Sequence, residues 1–313
     1  MRRIFIIGLA IMLSWGGTRA QNTKNYTPVN MYMLNPLLIN PAYSGTKESI
    51  SANAMMGTNW LDIPGAQLGK ANAAGWMESA SYDHPVSEKI ALGGLVLNNS
   101  FGVNNNFALY GHYSYRIITR FGKLSFGIRA GLNHYNRNLQ KASFRESGDP
   151  VLGFDYSHTF PNFGAGVFWY SDDYYAGLSV PNFFFPPVGS EAFEASPGNY
   201  NYTFIGGYLF RLSDDFKVRP STMLTYSLHS PLAYQLNLSA IMFQDRVWLG
   251  TGFKSKGFVV LAEVQVKTFL RVGYAFEFPT GGIREYAPFG SHEILLRFDT
   301  SWKVRTVSPA YFY

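Results

Sequence analysis

The chain has no cysteine. That excludes disulfides, thiolate metal sites and a lipid anchor on a cysteine. Charge is scarce too: Asp, Glu, Lys and Arg make up 15% of the residues, against about 25% in a typical soluble domain. Beyond the first twenty residues no apolar run approaches the ~20 residues that a spanning helix needs. No stretch shows a convincing helical period either.

Aromatic residues, in contrast, reach 17%, and there are 31 glycines. Tyr and Phe in that abundance suit the aromatic girdles of an outer-membrane barrel. Between Tyr234 and Met242 the side chains alternate. Tyr234, Leu236, Leu238, Ala240 and Met242 fall on one face; Gln235, Asn237 and Ser239 fall on the other. Successive strand side chains point to opposite faces, so this is a ribbon with one apolar and one wet side. Mean hydropathy is −0.06, as averaging a lipid face with a wet face should give.

Residues 1–20 read as a secretory signal and are set aside from the fold. Arg2 and Arg3 form a basic start. Ile4 to Trp15 is apolar apart from Gly8 and Ser14, and small and polar residues lead to cleavage after Ala20. Export then follows the Sec pathway, with the signal peptide removed. Arg2, Arg3 and Arg19 leave with it, so 23 bases face 20 acids, a net of +3. The bases are scattered, not gathered in a stripe, so no nucleic acid partner is indicated.

Fourteen strand candidates span the chain: Ile50–Trp60, Ala71–Asp83, Lys89–Asn98, Phe107–Ile118, Lys123–Asn136, Phe163–Ser171, Tyr174–Pro181, Tyr202–Arg211, Lys217–Leu228, Ala233–Phe243, Arg246–Lys254, Gly257–Val266, Thr268–Phe278 and His292–Asp299. An even count lets both sheet ends meet antiparallel, as single-chain bacterial barrels require. The expected fold is all-β: an antiparallel outer-membrane β-barrel of about 14 strands over residues 50–300, with an irregular N-terminal arm over 21–49 and a tail over 301–313. A soluble β-sandwich also alternates; the signal, strand number, aromatic load and low charge favour the barrel. A charge facing lipid near mid-bilayer costs roughly 2–4 kcal/mol, so Arg129, Glu263, Gln265 and Arg271 should face the lumen. Val259 and Leu261 break the pattern, being apolar on the inner face.

Connections differ in length. Ser171-Asp172-Asp173, Gln244-Asp245 and Ser255-Lys256 are short; Leu139–His158, Asn182–Asn199 and Thr280–Ser291 are long. Barrels of this class keep short turns in the periplasm, which puts Leu139–His158 and Asn182–Asn199 at the cell exterior. The run Asn182-Phe183-Phe184-Phe185-Pro186-Pro187-Val188 is unusually apolar. It is either a contact site or a loop folded in to cap the barrel.

Two segments stand outside the alternation. The arm contains Met31-Tyr-Met-Leu-Asn-Pro-Leu-Leu-Ile-Asn-Pro-Ala-Tyr-Ser-Gly45, with Asn-Pro pairs at Asn35-Pro36 and Asn40-Pro41. Asn before Pro favours extended or turn conformations and Pro fixes φ, so the arm should be kinked twice and non-helical. It has the character of a rigid apolar segment that folds back into a lumen or lines its mouth. Tyr32, Asn35, Pro36, Asn40, Pro41 and Tyr43 are its candidate plug or partner-binding residues, joined by Phe183, Phe184 and Phe185 of the apolar loop.

This arm resembles the N-terminal signature of the PorP/SprF family, outer-membrane proteins of the type IX secretion system in Bacteroidetes. Trp60 with Pro64-Gly65, the strand Ala71–Asp83 with His84-Pro85, Phe160–Ser171, Tyr175–Pro181 and Gly290–Leu296 are similar to further parts of the family pattern. So is the end, Ser308-Pro-Ala-Tyr-Phe312, although Ala310 stands where the family usually has Arg and Tyr313 is extra. The resemblance adds Tyr311 and Phe312 to the candidate partner-binding residues. It implies a non-enzymatic accessory barrel that helps export or attach cargo proteins carrying a C-terminal sorting domain, in some members gliding-motility adhesins. The implied partners are outer-membrane lipid, that cargo and periplasmic components of the secretion machine.

Chemistry has little footing. The histidines at 84, 112, 134, 158, 229 and 292 are dispersed, and none has metal-ligand spacing. Gly-x-Ser-x-Gly is absent, and no carboxylate pair stands in a catalytic context. No cofactor and no enzyme activity is expected. The competing reading is a passive, porin-like outer-membrane channel, since a lumen of fourteen strands is wider than wall side chains alone can fill.

Overall fold

In the strand Ser230–Met242, Gln235, Asn237 and Ser239 are buried, whereas Leu236 and Leu238 are 51% and 52% exposed. The wet side is inside and the apolar side out, the reverse of a water-soluble sandwich. A barrel spanning lipid requires that inversion, since every backbone group is satisfied between strands and the outer face meets hydrocarbon.

The computed structural model describes residues 29–59, 67–68, 71–72, 75–138, 155–185, 197–228, 230–255, 257–280 and 289–301. Its barrel strands are β1 (Ser49–Asn59), β2 (Gly75–Pro85), β3 (Ile90–Phe101), β4 (Asn104–Thr119), β5 (Gly122–Arg137), β6 (Tyr156–Tyr170), β7 (Tyr174–Val180), β8 (Tyr202–Tyr208), β9 (Phe216–Ser227), β10 (Ser230–Met242), β11 (Val247–Lys254), β12 (Gly257–Lys267), β13 (Leu270–Pro279) and β14 (Ser291–Ser301). Each pairs antiparallel with the next, and β14 closes on β1 from Ser49↔Ser301 to Thr58↔His292. Every barrel strand is thus laddered to a neighbour on each side, and the barrel sheet has no edge strand.

All fourteen expected strands are present, with two notable shifts. β2 begins at Gly75, because Ala71–Asn72 pairs instead with Gln67–Leu68 in a separate two-stranded ribbon. β6 begins at Tyr156, seven residues ahead of the expected start. Pro161 reads as a strand breaker, yet its exposed ring sits opposite Leu132 and the ladder continues around it. A second proline leaves a mark on the neighbouring wall. The piece Phe210–Arg211 continues β8 in unchanged register against β9, and the gap falls opposite Pro220, which has no N–H.

The start of β1, the end of β14 and the turns 86–89, 120–121, 171–173, 212–215, 243–246 and 268–269 share one end of the barrel. Short turns mark the periplasmic side in this class, so this is taken as the inner end. The long connections that follow β5, β7 and β13 leave and re-enter the barrel at the other, outer end. Ser255-Lys256, read with the short turns, belongs there too, because it joins β11 to β12; Lys256 itself lies outside the described residues. The lipid face carries exposed rings near both ends, Phe101, Phe253 and Phe278 outside and Trp169, Tyr208 and Phe210 inside. Leu109, Leu132, Leu238 and Leu249 lie between them. Two aromatic girdles around an aliphatic band form the belt that a bilayer selects.

On the inner face Arg129, Glu263 and Arg271 are buried, and the half-buried Gln265 accepts from Arg271 at 3.0 Å. Glu263 pairs with Arg297 at 3.0 Å, and Arg297 with Asp299 at 3.1 Å. Wall side chains do not fill this lumen by themselves. Residues 29–47 lie within it, buried throughout except for Leu38 and Ile39, which are half-buried.

Candidate functional site

The two Asn-Pro pairs shape the segment inside the barrel. Each proline starts a single 3-10 turn, Pro36–Leu38 and Pro41–Tyr43. This corrects the expectation of a wholly non-helical arm: Pro is pre-set for the first position of a helix while the residue before it stays extended. The two asparagines then part ways. Asn40 caps its turn, its Oδ1 accepting from the Ala42 N–H at 2.9 Å, and its Nδ2 donates to the Val167 carbonyl of β6 at 3.0 Å. Asn35 makes no cap and donates instead to Ser81 Oγ of β2 at 3.1 Å.

The segment crosses the lumen from the outer third to the inner end. At its outer end the Glu293 carboxylate accepts from the backbone N–H of Asn30 at 2.7 and 2.9 Å and from that of Met31 at 3.1 Å. Gln235 Nε2 donates to the Asn30 carbonyl at 2.9 Å, and Lys254 Nζ to its Oδ1 at 2.8 Å. Midway, Asn237 donates to the Tyr32 hydroxyl at 3.2 Å. At the inner end Asp83 accepts from the Gly45 N–H at 2.9 Å, Arg116 donates to the Gly45 carbonyl, and Lys47 pairs with Asp299 at 2.8 Å. Irregular backbone at membrane depth is tolerated only when its polar groups are met in this way.

Room for the segment comes from inward-facing glycines. A Cβ on Gly127 would sit 2.2 Å from the Ala42 backbone nitrogen, and one on Gly166 would sit 2.1 Å from Asn40 Oδ1. Apolar contact comes from the wall positions that broke the alternation. Val259 and Leu261 belong to one buried cluster with Met31, Leu34, Leu37 and Tyr43. Tyr43 meets Phe168 edge-on with ring centroids 5.6 Å apart. Tyr32, Asn35, Pro36, Asn40, Pro41 and Tyr43 are therefore all buried in the lumen.

Phe183, Phe184 and Phe185 lie at the outer mouth, the first two half-buried and the third buried. They are held by Asn162, a residue sequence reasoning missed. Its Oδ1 accepts from the N–H of both Phe183 and Phe184 at 3.1 Å, and its Nδ2 donates to the Phe184 carbonyl at 2.9 Å. The side-chain amide stands in for a neighbouring backbone strand. A polar residue on the inner face between two aromatics, Phe160 and Phe163, was the available signal. The pair His292-Glu293 suits lumen hydrogen bonding rather than chemistry: Glu293 fills that role, as a carboxylate within an outer-membrane strand must, whereas His292 lies on the opposite face and bonds the exposed Tyr274. Tyr311, Phe312, Trp60 and Pro64-Gly65 lie outside the described residues.

Below the aromatic loop is a cavity of about 90 Å³. Leu38 and Ile39 contribute to its lining, together with Asn99, Asn106, Asn201 and Phe184. Arg129 reaches it spent, its Nε donating to the Pro181 carbonyl at 2.5 Å and its Nη2 to Asn182 Oδ1 at 2.7 Å, with the guanidinium 4.2 Å from the Tyr110 ring centre. Among the described residues no group of three His, Cys, Asp or Glu side chains could hold a metal ion.

Residues 20–298 match the family model described as "Type IX secretion system membrane protein PorP/SprF". No curated protein matches the chain in sequence. Among solved structures the barrel is similar to a Pseudomonas aeruginosa FadL homologue, at 10% identity and a TM-score of 0.50, over 89% of this chain and 96% of that one. It is also similar to the Acinetobacter baumannii outer membrane protein Omp33, at 7% identity and a TM-score of 0.46, over 81% of this chain and 100% of that one. At such identities the likeness concerns the fold alone.

Proposed function

Because this chain belongs to the PorP/SprF family of type IX secretion system membrane proteins, we propose that it is a non-enzymatic accessory barrel of that system. In this role it supports the export or surface attachment of cargo with a C-terminal sorting domain, gliding-motility adhesins among the candidates, and contacts the periplasmic secretion machinery. A Sec signal over residues 1–20, a plug over the arm 21–49 and a partner-binding tail over 301–313 complete the proposal. The observation that carries it is the occupied lumen: the described part of the arm is tied at both ends to the wall. A barrel whose interior is given over to its own chain is suited to be a scaffold and poorly suited to be a conduit. Buried polar bonds of this kind contribute about 0.5–1.5 kcal/mol each, and more where a charge takes part.

The test has two arms. Tagged protein is purified from its own cells in mild detergent, and co-purifying proteins are identified by mass spectrometry. Secretion machinery or sorting-domain cargo is expected; a deletion strain that exports all large surface adhesins normally, with the machine assembled, would overturn the reading. Planar-bilayer conductance of the purified protein addresses the channel alternative. The scaffold reading expects little current until the arm is removed.

A further inference from the structure

The cavity beneath the aromatic loop has a chemistry that neither scaffold nor plug explains. Asn99 of β3 and Asn106 of β4 are register partners on the inner face, and Asn201 precedes β8 on the wall nearby. Their carboxamides have no protein partner among the described residues, and all three line the cavity half-buried. Thr203 and Thr225, also lining it, are register partners with hydroxyls 3.4 Å apart. Leu38, Ile39 and Phe184 supply an apolar surface. We propose that this cavity binds a neutral sugar residue at the outer face of the membrane.

Charge decides first. Among the described residues no Asp, Glu, Lys or His lines the cavity, and the one charged group among them, Arg129, has Nε, Nη1 and Nη2 each donating within the protein. These described residues offer an anion no free cation and a cation no carboxylate. A purely apolar ligand would desolvate three carboxamides without replacing their bonds. An extended peptide adds to a sheet through an open edge; every strand is laddered to a neighbour on each side, and where β6 runs outward past Ala165 beyond its ladder with β7, the Phe183 N–H and the Asn162 carboxamide occupy its rim.

A sugar ring meets every condition. Each hydroxyl both donates and accepts, as each carboxamide does, and the C–H face of the ring can lie on Ile39 and Phe184. Size agrees: one water needs ~10–15 Å³ by this measure, so the cavity holds several waters or one ring. The sugar can arrive on a membrane lipid or on a soluble glycan, since the recognising groups are the same.

Saturation-transfer NMR on the full mature protein in a sugar-free amine-oxide detergent tests this. The probes are methyl glycosides of glucose, galactose, mannose and N-acetylglucosamine. Saturable binding of at least one is expected, weakened tenfold or more by Asn106→Leu and by Asn201→Leu, with barrel folding checked by heat-modifiable gel mobility. Vesicles carrying the same sugar on diacylglycerol should compete if the source is lipid-linked; a soluble oligosaccharide alone should compete if it is a free glycan. No saturation with any glycoside up to ~50 mM would overturn the proposal. So would binding that both variants leave unchanged, or displacement by N-acetyl-trialanine amide at lower concentration than any sugar.

Discussion

Gly127 faces Ala42 with no space for a side chain: a Cβ there would sit 2.2 Å from the Ala42 nitrogen and 2.3 Å from its Cα. Both neighbours are backbone within a capped 3-10 turn, so neither can rotate away. Gly127→Val should therefore expel the segment around Pro41–Tyr43 while leaving the β4–β5–β6 ladders paired. The expected result is a folded, heat-modifiable barrel whose bilayer conductance rises well above wild type. A silent variant would show that the segment does not close the lumen.

Glu293 anchors the outer end of the segment through three backbone contacts. In Glu293→Gln the acceptor loses its charge, and such a bond weakens by about 1 kcal/mol or more. Since 1.4 kcal/mol is a factor of ten, amide exchange at Asn30 and Met31 should quicken by roughly tenfold. Exchange at Gly45, held by Asp83 at the far end, should stay nearly unchanged. Equal acceleration at both ends would mean that the segment leaves as one unit.

Leu238 and Asn237 are adjacent in sequence and face opposite solvents. Leu238→Arg puts a charge against lipid and should destabilise the barrel by roughly 2–4 kcal/mol if it lies near mid-bilayer. Leu238→Phe should be tolerated. Urea titration of the protein refolded into lipid vesicles reads both, and a neutral Leu238→Arg would contradict the membrane orientation.

Arg297 holds Glu263 and Asp299 together inside the wall. Removing one member of a buried ionic group strands the others and costs about 3–5 kcal/mol. Arg297→Met should lower the unfolding midpoint far more than the surface change Arg211→Met, whose pair with Asp173 is largely exposed.

Much of this molecule is legible in the sequence, and the reasons are local. Gln235, Asn237 and Ser239 must share a face because a strand has a period of two, so the wet and apolar sides of β10 follow from spacing alone. The even strand count, the inward charges Arg129, Glu263 and Arg271, and the two kinks at Asn35-Pro36 and Asn40-Pro41 have equally short-range causes. The strand expected from Phe163 starts instead at Tyr156: Pro161 is locally a strand-ending residue, but the fifteen residue pairs of β5 and β6 run past it.

Only the tertiary structure decided what fills the lumen and how it is held. Glu293 and Asn30 are 263 residues apart, and no periodicity links them. Val259 and Leu261 looked like defects until the apolar arm was seen against them, and Gly127 and Gly166 looked like ordinary strand glycines until the arm's turns were seen in their place. Asn162 as a clamp on Phe183 and Phe184, and the unspent amides of Asn99, Asn106 and Asn201, depend on barrel closure bringing distant strands around one space. Alternation states which face of each strand is wet; closure determines what those wet faces touch.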